Sequence, residues 1–393
     1  MNRTSTAQQE IERDVIESAS EWAARLPEYA EVFEQQNRLT PDIAKQFAEA
    51  GFFHMNVPEE YGGLEVHPRT MVEVIKTVAR GDASAAWNVM IGATTGLLAA
   101  GLPDKFASEI YGDKPGVLSV GTTAPLGKAN VVKGGYEVTG RWPFGSGCQN
   151  ADWISGGCFI FENGQQRKNH KGAPEIQLMM FDAASVEIED TWRVSGLKGT
   201  GSHHFNVDQA FVPEGRSVVL GGRSRIQRPL YQFPMLGLLA LGVSSVSLGI
   251  AYHALDAFIA LAGSKTPTGS LRRTAEREMV QGDVGRCFAD LRSAEAYIHQ
   301  AIDEAWEVAL QGKRLSNEIK ANLRLAAVNA THRSVATVDR LFQAGGGSSI
   351  YLDSPLQQCS RDIHVTTQHI MVANPIYEVV GRVELGLPPG SLL

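Results

Sequence analysis

The chain has 393 residues, 43% of them hydrophobic and 20% charged, with 36 basic against 43 acidic residues for a net charge of −7. That length gives room for a large core spread over two or three domains, and the acidic balance argues against nucleic acid or an anionic membrane as a partner. No run of about 18 apolar residues offers a membrane span, because the most apolar stretch, 233–251, is broken by Gly237, Gly242 and three serines.

The opening from Gln8 to Glu17 is polar and acidic, unlike a secretory signal. Residues 4–112 read as helical. Thr40-Pro41 looks like an N-cap with proline at the first helical position, and the stripe of Ile43 and Phe47 then runs to a stop at Gly51. Glu59-Glu60-Tyr61-Gly62-Gly63 is a turn, and helices over 70–80 and 84–100 are separated by Gly81-Asp82. From Gly116 the texture changes to short β-branched and aromatic runs (116–122, 135–139, 153–161, 176–182, 205–212) bounded by Gly, Asn, Asp and Pro. Such runs predict an antiparallel sheet or small barrel. Helical periodicity returns over 233–385, with amphipathic helices at 275–312 and 316–342.

The expected fold is therefore mainly α with a central β-domain. An N-terminal helical domain spans 1–115, the β-domain 116–225, and a C-terminal four-helix bundle 226–393. Surplus apolar helix surface in the bundle predicts self-association, as a homotetramer built from two dimers. Cys148, Cys158, Cys287 and Cys359 lack C-x-x-C spacing, which fits a reducing cytoplasm and gives no disulfide framework or metal site.

Several local strings carry more specific information. Gln343 and Gly345-Gly346-Gly347-Ser348-Ser349-Ile350-Tyr351 lead into Ser354-Pro355, Arg361-Asp362 and His369. Val57-Pro58-Glu59-Glu60-Tyr61-Gly62-Gly63, Gly140 to Gly147, Ala151-Asp152-Trp153-Ile154, and Gly196 to Ser202 followed by Phe211-Val212-Pro213 complete the set. On these residues the chain resembles the acyl-CoA dehydrogenase superfamily over roughly 15–388. The resemblance breaks where the dehydrogenases carry Glu-Gly-Thr: this chain reads His369-Ile370-Met371-Val372 there, with no carboxylate to take a proton from an acyl thioester.

Trp142-Pro143-Phe144-Gly145-Ser146-Gly147 is similar to a signature of the two-component, reduced-flavin-dependent monooxygenases on this fold. Those enzymes hydroxylate phenols, indoles, steroid phenols or dibenzothiophene. The resemblance implies reduced flavin as cofactor, FADH2 ahead of FMNH2, with O2 as co-substrate. Hydroxylation then proceeds through a flavin C4a-hydroperoxide, which needs a dry pocket and a hydrogen bond near flavin N5. Ser146 is the candidate for that bond, its plainer role being a turn residue. Thr122, Thr123, Trp142, Phe144, Trp153, Gln343 and Gly345 to Gly347 are the implied cofactor contacts, the glycine run often reaching across a subunit interface in this family.

His369 is the candidate general base, since an imidazole with a pKa of about 6.5 can take a phenol or indole proton at neutral pH. His364, five residues earlier and about 140° round a helix, points elsewhere and is read as structural. The monooxygenases use a second polar group on the helix before the β-domain. Here the string Trp87 to Thr95 holds no histidine, so Asn88, Thr94 and Thr95 are the substrate-side candidates, with His203 bordering the pocket. Neither G-x-G-x-x-G nor a P-loop occurs, so nicotinamide oxidation falls to a separate NAD(P)H flavin reductase. The alternative is an acyl-CoA dehydrogenase or oxidase with bound FAD, taking its base from Glu276 or Glu278.

Overall fold

The computed structural model describes residues 6–112, 116–169, 172–391 and 393. The expected boundary at residue 115 lies outside the described residues. Among the described residues six α-helices precede the sheet: α1 (Thr6–Arg25), α2 (Ala30–Gln36), α3 (Pro41–Glu49), α4 (Pro68–Gly81), α5 (Ala83–Gly96) and the short α6 (Asp104–Ala107). Six follow it: α7 (Pro229–Gln232), α8 (Met235–Ser264), α9 (Glu278–Leu310), α10 (Asn317–Gly345), α11 (Pro355–Thr366) and α12 (Pro375–Glu384).

Thr40 holds the N-cap position of α3 in extended backbone, but its side chain makes no capping bond, and proline at the first turn sets the start alone. Asp82 caps α5 as an acceptor, taking the Ala85 N–H at 2.7 Å. Every residue of α5 is buried, so this helix shows no amphipathic stripe and runs through the interior. α8 is likewise apolar around most of its circumference, packing on α4, α5, α10 and α11. By length and composition both α8 and the 83–101 stretch are long and apolar enough to cross a membrane, yet 78% and 94% of their apolar windows lie buried inside the protein. They are core helices.

Between the helical blocks lie β1 (Ser119–Val132), β2 (Gly135–Gly145), β3 (Trp153–Glu162), β4 (Gln165–Gln166), β5 (Ile176–Asp182), β6 (Glu187–Glu189), β7 (His203–Pro213) and β8 (Ser217–Val219). They form one sheet in the order β6-β7-β2-β1-β3-β5-β8, with β4 hanging on β3. The sheet is mixed, because β1 and β3 run parallel while the other pairs are antiparallel. The β1–β2 ladder ends at Lys128–Thr139, and beyond it β1 pairs with β3 and β2 with β7. The two strands separate toward the end that carries Thr122, Thr123 and Ser146.

Candidate active site

Ser146 stands one residue past the end of β2 and is 4% exposed. Its hydroxyl sits in a chain of four side chains from three elements. The Trp87 indole Nε1, on α5, donates to Ser146 Oγ at 3.1 Å. Ser146 Oγ lies 2.6 Å from Ser202 Oγ, which lies 2.7 Å from Thr200 Oγ1. Thr200 Oγ1 in turn donates to the Leu197 carbonyl at 2.8 Å. The backbone repeats the tie, with Gly147 N–H donating to the Thr200 carbonyl at 2.9 Å. Gly147 has φ 74°, and a Cβ there would come within 2.6 Å of Asn88 Oδ1, so this turn requires glycine against α5.

Arg361-Asp362 on α11 holds the 195–202 turn in place. Asp362 Oδ1 accepts the Leu197 N–H at 2.6 Å, while Arg361 donates to the Ser195 carbonyl and to Glu34, each at 2.8 Å. Gly196 lies so close to α11 that a Cβ would meet the Arg361 carbonyl at 2.4 Å. Burial raises the Asp362 pKa to about 7, with the charges of Asp82 and Glu34 adding to it and the Leu197 N–H and Arg361 opposing. Burial likewise raises Asp82 to about 6.

His369 completes the corner. α11 ends at Thr366, so His369 sits in the bend beyond it, not in a helix as the sequence suggested. The residue is half-buried, and its ring meets the Trp87 ring edge-on, with centroids 5.6 Å apart. Burial, and then the nearby Arg324 guanidinium, lower its pKa to about 4. Nδ1 accepts the Met371 N–H at 3.3 Å, so in the neutral ring the hydrogen resides on Nε2. As arranged, His369 is a neutral hydrogen-bond donor at Nε2; acting as the base at Nδ1 requires giving up the Met371 contact. Arg324 is 2% exposed, donates to the Met371 carbonyl at 3.2 Å, and so fixes the same bend.

Other expected contacts fall elsewhere. Trp142 is fully buried in the sheet, stacked on Phe205 at 5.2 Å, with its N–H on the Gly157 carbonyl. It has no face open to a cofactor and belongs to the core. Asn88 is tied to the Ser84 carbonyl at 2.9 Å and serves as the wall against which Gly147 packs. Thr94 is buried and donates to the Met90 carbonyl of its own helix; Thr95 is buried beside it. His203 accepts from the Thr191 and Trp192 N–H groups at 3.1 and 3.2 Å through Nδ1, and burial lowers its pKa. Its Nε2 is buried with no partner among the described residues.

Phe144 is 65% exposed in left-handed backbone (φ 63°), edge-on to Trp192. Trp153 is partly exposed under the Arg216 guanidinium, and Thr122 and Thr123 are partly buried at the irregular part of β1. His364 pairs with Asp339 at 3.0 Å on the surface. Gln343, Gly346 and Gly347 are exposed, and the buried Gly345 packs near Leu356 at the start of α11. His369 lies beyond the other end of that 12-residue helix, about 18 Å away. One chain thus joins Trp87, Ser146 and His369 but not the glycine run.

Sequence reasoning missed Trp87, Thr200 and Ser202. Their roles arise from contacts across α5, β2 and the 196–202 turn that no local spacing announces.

The donor set suits a flavin ring. The buried Trp87 links a serine hydroxyl and an imidazole, and Ser146 Oγ keeps a lone pair free. Comparison with known families agrees. The Acyl-CoA dehydrogenase, N-terminal domain, family matches residues 7–109, and the Acyl-CoA dehydrogenase, C-terminal domain, family matches 241–374. The chain belongs to the acyl-CoA dehydrogenase family, on its flavin-dependent monooxygenase branch. It is 33% identical over 367 residues to indole-3-acetate monooxygenase of Pseudomonas putida, covering 93% of this chain and 91% of that one. It is 29% identical over 408 residues to the flavin-dependent monooxygenase oxygenase subunit HsaA of Mycobacterium tuberculosis, covering 98% and 99%. Among solved structures, XiaF from Streptomyces in complex with FADH2 and glycerol superposes with a TM-score of 0.90 at 25% identity, covering 98% of each chain.

Proposed function

We propose that this protein is the oxygenase component of a two-component system that hydroxylates an aromatic or heteroaromatic small molecule of phenol or indole type. Bound reduced flavin supplies the electrons that split O2, one oxygen atom entering the ring and the other leaving as water. The observation that carries the reading is the linkage of Ser146 and His369 through Trp87, and the resemblance implies a glutamate at the His369 position in the dehydrogenases. Glu276 and Glu278, the alternative bases, are exposed at and just before the start of α9, where they pair with Arg273 and Arg272. In this reading Ser146 receives the flavin at its free lone pair, His369 donates at Nε2, and Phe144 with Trp192 forms an apolar wall that excludes water.

FADH2 is the favoured flavin, and a separate NAD(P)H reductase supplies it. The Gln343–Gly347 segment serves the flavin of a second copy in a tetramer. Ile350, Tyr351 and Leu352, beside that segment, are 67%, 66% and 89% exposed, which supports a covered face there. Four free, buried cysteines agree with a cytoplasmic setting.

The test combines the protein with a flavin reductase, NADH and a panel of phenols and indoles, and follows product and hydrogen peroxide. Hydroxylated product from at least one ring is expected. A yellow protein that retains oxidised FAD and desaturates an acyl thioester would overturn the reading.

A further inference from the structure

The hydrogen-bond chain at Ser146 has a direction. Thr200 spends its only hydroxyl hydrogen on the Leu197 carbonyl at 2.8 Å. The 2.7 Å contact between Thr200 and Ser202 must then use the Ser202 hydrogen. With that hydrogen committed, the 2.6 Å contact between Ser202 and Ser146 must use the hydrogen of Ser146. Trp87 Nε1 can only donate, and it occupies one lone pair of Ser146 Oγ. Ser146, Ser202 and Thr200 are 4%, 3% and 1% exposed, so water does not compete for these bonds. Ser146 is left with one lone pair and no hydrogen to offer. Whatever meets it in the site must be a donor.

We propose that this chain is a filter for the redox state of the flavin, with Trp87, Ser202 and Thr200 as the positioning residues that force Ser146 to accept. The inference rests on the reading that Ser146 meets the flavin at N5. Reduced isoalloxazine carries a hydrogen on N5, whereas the oxidised ring presents a lone pair there. A serine that can only accept pairs with the first and opposes the second. The site therefore takes up reduced flavin from the reductase and lets go of the ring once it is oxidised. A serine free to rotate its hydroxyl would serve both forms and discriminate neither.

The experiment measures equilibrium dissociation constants for oxidised FAD and for dithionite-reduced FAD under anaerobic conditions, with melting temperature as the check on folding. The wild type binds reduced FAD more tightly. Ser202→Ala removes the acceptor of the Ser146 hydrogen, which then turns outward to oxidised N5. Oxidised FAD binds more tightly, and the reduced-to-oxidised preference falls by about tenfold, the change expected for one hydrogen bond. Thr200→Val lowers the preference in the same direction, because Ser202 is then free to donate to Ser146, while Thr200→Ser retains it. If Ser202→Ala fails to fold, the Thr200→Val and Thr200→Ser pair makes the same comparison.

A preference unchanged within twofold in both Ser202→Ala and Thr200→Val overturns the filter. If Ser146→Ala still weakens reduced FAD, the placement of Ser146 at the flavin survives that result. If Ser146→Ala leaves both affinities unchanged, that placement fails and takes the filter with it.

Discussion

The Ser146 corner and the Gln343–Leu352 segment have opposite character. In the first, buried hydroxyls are paired in a fixed order, and glycines sit where a Cβ would strike backbone or side chain. In the second, Gly346 and Gly347 have open space around them and Ile350, Tyr351 and Leu352 face outward. The first is finished within one chain. In the proposed reading the second half is covered by another copy, which would make the chemistry local and the cofactor grip shared, and each half can be broken separately.

The largest effect should come from the chemical half. His369→Ala is expected to lower hydroxylation by roughly 10²- to 10⁴-fold, the range for losing a positioned acid–base or donor group. Because burial lowers the histidine pKa to about 4, His369 itself should add no limb to the wild-type rate profile at the ordinary histidine value. His369→Gln, which keeps a donor and has no titratable group, should recover part of the loss. A limb near pH 6.5 together with no recovery by glutamine would restore the general base. Retention of more than half the wild-type rate by the alanine variant with every substrate would remove His369 from the chemistry.

The second half answers to association. Leu352→Asp should weaken self-association by roughly 10- to 150-fold, the cost of exposing one large apolar side chain, with the Ser146 corner untouched. Light scattering at micromolar protein should give a tetramer for the wild type and smaller species for the variant. A wild-type mass near 42.5 kDa would sink the tetramer and with it the shared cofactor grip. Ser146→Ala should act more modestly, raising hydrogen peroxide released per NADH consumed by roughly tenfold through the loss of one hydrogen bond in a dry site. Unchanged coupling would return Ser146 to a turn residue.

The sequence made the order of helix, sheet and helix legible because periodicity changes sharply near residues 116 and 213. The motif strings also pointed to Ser146 and His369. What they could not carry was orientation. Trp142 reads as a flavin-stacking aromatic by its place in the signature, yet alternation along β2 turns it inward onto Phe205. Thr94 looked available until its helix gave it the Met90 carbonyl. Trp87 opens a string with no histidine and carries no signal of its own, and only the approach of β2 to α5 gives its N–H a partner. His364 and His369 show the same limit: helical geometry separates the two positions only if the helix continues, and it ends at Thr366.

The anchoring of the finished half shows in stability and not in rate. Asp362 has its carboxyl pKa raised to about 7, chiefly by burial, against an ordinary value near 3.9. A folded-state pKa above the unfolded one means that the folded protein holds a proton the unfolded chain gives up. The stability tied to that proton is complete below pH 4 and is lost progressively as pH rises toward 7. Asparagine cannot ionise, yet its side-chain oxygen can still accept the Leu197 N–H. Asp362→Asn should therefore differ little from wild type at pH 4 and melt about 5 °C higher at pH 8, since a shift from about 3.9 to about 7 is worth on the order of 4 kcal/mol. Melting curves for the two proteins from pH 4 to 8 decide it. A constant offset across that range would mean that Asp362 titrates normally and that the clamp on the 195–202 turn is a charged one, held by Arg361.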